Sequence, residues 1–187
     1  MTTTLFTNAH IATGEPGSTA ASTLPLQDIL VTDGVFTAFG PGLAQQYEAQ
    51  SGDLAAIEVV DLGGKLVCPP FCDTHLHLDY VFTARKPGAV NESGTLFEGI
   101  QRWSETKSDL TVDEIKQRAK IGIKKEMLHG VQLIRSHADV TDPNLTSLKA
   151  LLELKEELKD TVTLQIVSFP QEGMYRSEEH TSELQSH

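Results

Sequence analysis

The sequence predicts an α/β protein: a small β module followed by parallel strands joined by helical crossovers. Three observations carry that reading. Residues 1–65 are rich in Thr, Ala and Gly and hold short β-like pieces rather than helical stripes. Beyond residue 66, apolar strand-like runs alternate with segments whose apolar side chains recur every three or four positions. The alternation runs strand, two helices, strand, helix, strand, which is the grammar of a parallel sheet with helices packed on it.

The clearest piece of the module is "DILVTDGVFTAFGPG", where Ile29-Leu30-Val31, an Asp33-Gly34 turn and Val35 to Phe39 predict a hairpin. "IEVVDLGGKLVCPPF" continues with Ile57, Val59 and Val60, a Gly63-Gly64 turn and Leu66-Val67. "KLVCPPFCDTHLH" then reads as one strand, with Pro69 and Pro70 marking a bend or an edge because neither can donate a ladder hydrogen bond. Residues 95–107 have helical spacing in Leu96, Ile100 and Trp103. Thr111 and Glu114 form a capping box before a second helix. Its stripe is Ile115, Ala119, Ile123 and Met127, and Gly130 ends it. Residues 131–140 predict a strand. Asp142-Pro143 opens another helix, lined by Leu145, Leu148 and Leu152 and ending near Asp160. "VTLQIVSFPQEG" is the last strand. The closing "RSEEHTSELQSH" has no apolar stripe and resembles an in-frame translated sequencing adapter. Residues 176–187, with His180 and His187, are therefore read as a non-native tail.

Charge narrows the function classes. The chain has 26 acidic against 15 basic side chains, a formal net charge of -11. Nucleic acid and anionic membrane surfaces need a basic footprint, so neither is expected as a partner. No apolar run reaches the roughly 20 residues of a membrane helix, and the N-terminus lacks the pattern of a secretion signal. A soluble, cytoplasmic protein is expected. The two cysteines, Cys68 and Cys72, give no disulfide framework and are expected to be small buried apolar residues.

His75 and His77 carry the chemistry. Alternate residues of a strand share a face, so two imidazoles about 6.6 Å apart along the strand can converge on one metal ion. They sit just past the apolar part of their strand, at the end where parallel sheets gather their functional loops. Asp79 falls on the same face and is a candidate partner for a ring N–H. His137, near the end of the next strand, shares a face with Arg135 and Asp139; it either contributes to the pocket or is a hydrogen-bonded structural histidine. Gln171 ends the last strand at the corresponding rim, and its amide offers both a donor and an acceptor to a heterocyclic edge. His10 and His129 read as surface or cap residues.

Taken together, "LVCPPFCDTHLHLD", "SGTLFEGIQRW", "IRSHADV", "LTSLKALLELK" and "LQIVSFPQEG" resemble the cytosine deaminase branch of the amidohydrolase superfamily, over residues of about 60 to 175. The resemblance implies a TIM-type (β/α) barrel, of which about three of eight strands are present in 66–175, and a small β-sandwich built partly from 1–65. It implies one divalent metal ion, iron or zinc, held by His75 and His77. It also implies a small heterocyclic substrate, with Gln171 bonded to the ring and the Gly94–Leu96 loop beside it. The remaining ligands and the proton-shuttling glutamate come from later strands, so no catalytic acid or base is matched in this chain. Self-association of the parent enzyme is left open. The zinc deaminases of the cytidine type are excluded, since His-x-Glu and Pro-Cys-x-x-Cys are absent.

Two readings of different class follow. In one, the parent is a metal-dependent aminohydrolase acting on cytosine or a related ring, such as an N-substituted triazine, and this chain is an N-terminal piece that is inactive alone. In the other, the chain is a non-catalytic fragment with an exposed sheet edge.

Overall fold

The computed structural model describes residues 2–12, 24–51 and 54–173. The foreign-tail reading of 176–187 lies outside them. The chain divides into two compact units, at Pro69 and Pro70.

In the first unit, the described residues form one five-stranded mixed sheet. Its strands are β1 (Thr3–Ile11), β2 (Leu26–Thr32), β3 (Val35–Gly40), β4 (Glu58–Asp61) and β5 (Leu66–Val67). β1 is central: it pairs antiparallel with β2 and parallel with β4 and β5. The Asp33-Gly34 hairpin forms as its residue types require. Both positions have positive φ, 50° and 79°, the backbone that matches the twist of the flanking strands. Leu5, Ala9 and Ile29 are the buried apolar residues here. Neither β1 nor the helix α1 (Leu43–Ser51) was legible in the sequence; "LAQQYEAQS" has too few apolar residues to show a stripe.

The second unit carries the alternation. β6 (Phe71–Leu76), β7 (Val131–Asp139) and β8 (Thr163–Phe169) are parallel in the order β6-β7-β8. α2 (Leu96–Lys107) and α3 (Val112–Leu128) link the first pair, and α4 (Thr146–Glu157) links the second. Thr111 Oγ1 accepts from Glu114 N at 3.2 Å, half of the capping box. Ile115, Ala119 and Ile123 are buried against Ile134, Leu151, Leu154 and Leu164. Each isoleucine so buried contributes about 1.5–3 kcal/mol.

Three expectations are corrected. The run from Lys65 to His77 is not one strand: the two prolines interrupt it, leaving β5 in the first unit's sheet and β6 in the second's. Cys68 and Cys72 are exposed rather than buried. Cys68 lies in that proline break, and Cys72 pairs with the exposed Leu133, on the face opposite the buried Ile134. α4 begins at Thr146, not at Pro143, because Asp142 turns its carboxylate back to accept from Asn144 N and Thr146 N, and Leu145 stands at φ 52°. Its buried stripe is Ser147, Ala150, Leu151 and Leu154; Leu145 and Leu152 are exposed. A leucine-rich helix offers more than one apolar phase, and the packing surface selects one.

Candidate active site

The C-terminal ends of β6 and β8 and the N-terminal half of α2 enclose an open cleft of about 760 Å³, within the range of small-ligand sites. His75, His77, Leu96 and Gln171 all line it.

A bulge re-aims the histidine strand. Between the Asp73–Ile134 and Leu76–Ser136 pairs, β6 advances three residues while β7 advances two. One extra residue moves the side chains beyond it to the other face. The Asp73 carboxylate supports the bulge by accepting from His75 N at 2.9 Å. His77 follows the strand's last residue, and the chain beyond it is tied down. Leu78 N donates to Ser136 Oγ at 3.0 Å, and the Arg118 guanidinium donates to the carbonyls of Val81 and Asp79 at 2.6 and 3.0 Å.

Three imidazoles gather there. The His75 and His77 rings are 5.3 Å apart between centroids; His137 stacks on His75 at 4.1 Å and lies 5.5 Å from His77. His137 is not among the residues lining the cleft. Burial, followed by the neighbouring His137 and His75, lowers the pKa of His77. Burial, followed by His75 and Arg135, lowers that of His137. Both shifts favour the neutral ring, the form that binds metals. Nδ1 of His137 is buried with no hydrogen-bond partner among the described residues. Asp79 Oδ1 is 4.0 Å from His77 Nδ1, beyond hydrogen-bond distance, and Asp79 Oδ2 instead accepts from Asp139 N at 2.9 Å. Among the described residues, no set of three His, Cys, Asp or Glu side chains is arranged to hold a metal ion. His75 and His77 thus bring two imidazole donors to one rim without forming a complete cage among the described residues.

The cleft walls are aromatic. Tyr80 stacks on His77 at 4.9 Å and meets Trp103 at 5.1 Å, while Phe169 presents its edge to His77 at 5.5 Å. The remaining wall is the turn before α2. There Thr95 Oγ1 caps the helix by accepting from Glu98 N. The Glu98 carboxylate accepts from Ser93 Oγ at 2.5 Å, Ser93 N at 2.6 Å and Glu92 N at 3.1 Å. The Ser93 hydroxyl and these backbone donors hold its pKa at about 2. That clasp places Gly94 and Leu96 on the cleft; Leu96 is 74% exposed at its mouth. Trp103 was legible as a helix-face residue. Tyr80, Asn91 and Phe169 were not, since nothing in their spacing marks them as site residues.

Parallel strands with histidines converging at their C-terminal rim agree with the class that the comparisons show, the amidohydrolases. The sequence model of the Amidohydrolase family matches residues 58–186, more than half of the chain, and the chain belongs to that family. It is 39% identical to a 5-methylcytosine deaminase from Klebsiella pneumoniae solved with 5-fluorocytosine, with a TM-score of 0.75 over 96% of this chain and 39% of that one. It is 35% identical over 120 residues to an N-isopropylammelide isopropyl amidohydrolase of Pseudomonas sp. (strain ADP), covering 62% of this chain and 30% of that protein. It is 28% identical over 153 residues to a pterin deaminase of Rhizobium rhizogenes, covering 79% of this chain and 32% of that protein. Within the family the likeness is thus to the cytosine-deaminase-like branch. The chain spans about a third of the length of these curated relatives. Among the described residues no helix is long and apolar enough to cross a membrane.

Proposed function

We propose that the chain is the N-terminal part of a metal-dependent hydrolase that removes an exocyclic amine from a cytosine-like heterocycle. On this reading 70–173 are the opening strands of a (β/α) barrel, and the first unit is part of a smaller β domain. The observation that carries it is one cleft shared by His75, His77, Gln171 and aromatic walls. A divalent metal, iron or zinc, held by His75 and His77 would supply the Lewis acidity that makes water nucleophilic near neutral pH. The chain's own groups do the rest of the binding. The lowered pKa of His77 favours the neutral ring, whose lone pair suits that role. The Gln171 amide offers one N–H and one carbonyl to a ring edge carrying an acceptor beside a donor, the pattern of an amidine. Tyr80, Trp103 and Phe169 give the flat ring apolar surface and exclude water. The described residues include no assigned general acid, so the 187-residue chain alone is expected to release no ammonia from cytosine.

The test is Co(II) titration of the chain, read by visible absorption, in the parent sequence and in His75→Ala and His77→Ala. Loss of the cobalt band in both variants is expected; a band that survives both would sink the metal reading. The likeness to the N-isopropylammelide enzyme favours a second substrate class, N-substituted triazines. Quenching of Trp103, the chain's only tryptophan, by cytosine but not by an N-alkyl aminotriazine selects the first class, and the converse selects the second.

A further inference from the structure

Lys107, in the last turn of α2, is 8% exposed. A lysine is almost never so buried without partners. Its ammonium donates to Asp139 Oδ2 at 3.1 Å and Thr141 Oγ1 at 2.6 Å, and it forms a third, short contact with Glu172 Oε1. These partners lie outside the cleft lining, but each is tied to a different wall of it. Asp139 ends β7 and also accepts from Trp103 Nε1 at 2.7 Å, so the lysine and the wall tryptophan share one carboxylate oxygen. Glu172 lies in the turn after β8, directly beside Gln171. That turn has little slack: Gln171 N donates to Phe169 O at 3.0 Å and Gly173 N to Pro170 O at 2.9 Å. Wherever Glu172 is anchored, the Gln171 side chain must follow.

We propose that Lys107 is a positioning residue: through Glu172 it fixes the Gln171 turn against the Trp103 wall, and so sets the width of the cleft and the aim of the Gln171 amide. The inference rests on reading the cleft as a heterocycle site, but its geometry can be tested without a substrate. Lys107 touches neither the ring nor the imidazoles, so its effect falls on recognition and leaves metal binding alone.

The experiment uses the full chain and Trp103 emission. Lys107→Met takes the ammonium away from the buried Asp139 and from Glu172 together, so it risks the fold. Glu172→Gln weakens only the link to the turn and keeps the Lys107–Asp139 pair. For Glu172→Gln, acrylamide quenching of Trp103 is expected to rise about twofold as the turn loosens. Cytosine affinity should fall about tenfold, the scale of one charge-assisted hydrogen bond, with the cobalt titration unchanged. Glu172→Asp should recover part of both effects. Wild-type quenching and wild-type cytosine affinity in Glu172→Gln would overturn the proposal. If the parent chain itself binds no cytosine, the functional reading falls, and acrylamide quenching alone decides: raised supports the anchor, unchanged removes it.

Discussion

Two aspartates border the site, one in the loop after β6 and one at the end of β7, and their surroundings set them apart. Asp79 is fully buried and Asp139 is 2% exposed. Burial by itself raises the pKa of both. For Asp139 that effect is more than offset by the N–H and hydroxyl of Thr141, the Trp103 indole and the Lys107 ammonium, and its pKa ends below the ordinary value. Asp79 accepts the Asp139 N–H on Oδ2, and its own and the Tyr80 backbone N–H also lower its pKa, but burial and the neighbouring Asp139 charge outweigh these and push it up to about 6. Equal depth thus gives opposite outcomes. The kind of neighbour decides whether a buried carboxylate stays charged: side-chain donors and a cation surround Asp139, whereas Asp79 has backbone N–H groups and a nearby like charge. Asp139 ties elements together, whereas Asp79 is held by backbone alone, beside the imidazoles.

The contrast can be broken by substitution. Asp139→Ala should cost the most, about 1–3 kcal/mol, since it leaves the buried Trp103 N–H without its acceptor and takes one of three partners from Lys107. Urea denaturation followed by Trp103 emission measures it, and a loss under about 1 kcal/mol would show that the cluster is replaceable. Asp79→Asn keeps a carbonyl for the Asp139 N–H and removes a poorly solvated charge. Its effect at neutral pH should stay within about 1 kcal/mol of zero, and a cost equal to that of Asp139→Ala would refute the contrast.

The smallest effect tests the same rule at the surface. Glu98 accepts from Ser93 Oγ, Ser93 N and Glu92 N and pairs with Arg102, and its pKa is lowered to about 2 from 4.5. Its folded pKa lies below its unfolded one, so its contribution is present above pH 4.5 and fades as pH falls toward 2. The amide signal of Ser93 should therefore hold steady down to about pH 3 and move only below it. In Glu98→Gln that transition should be absent; a midpoint near 4.5 in the parent chain would mean the clasp does not hold.

Much of the fold was legible because its signals are local. The Asp33-Gly34 hairpin, the Thr111 cap, the α3 stripe and the Gly130 stop each depend on residues within one or two turns of chain. What failed also has a local cause: α1 shows no apolar periodicity, and the leucines of α4 allow two phases. For the site, the sequence pointed to the His75–His77 pair but took both as members of one regular strand. The bulge between Asp73 and Leu76 and the strand end before His77 arise from register with β7, which no spacing within β6 reveals.

The sequence by itself determined the order of strands and helices, the family, and which residue types are available for chemistry. Those follow from propensity, periodicity and short motifs, whose energies are set by near neighbours. Only the tertiary structure decided that Leu96 and Gln171 meet the histidine pair at one cleft, and that Lys107 reaches Asp139 and Glu172. Such juxtapositions depend on strand pairing and burial between distant segments, where the cost of desolvating a charge selects its partners.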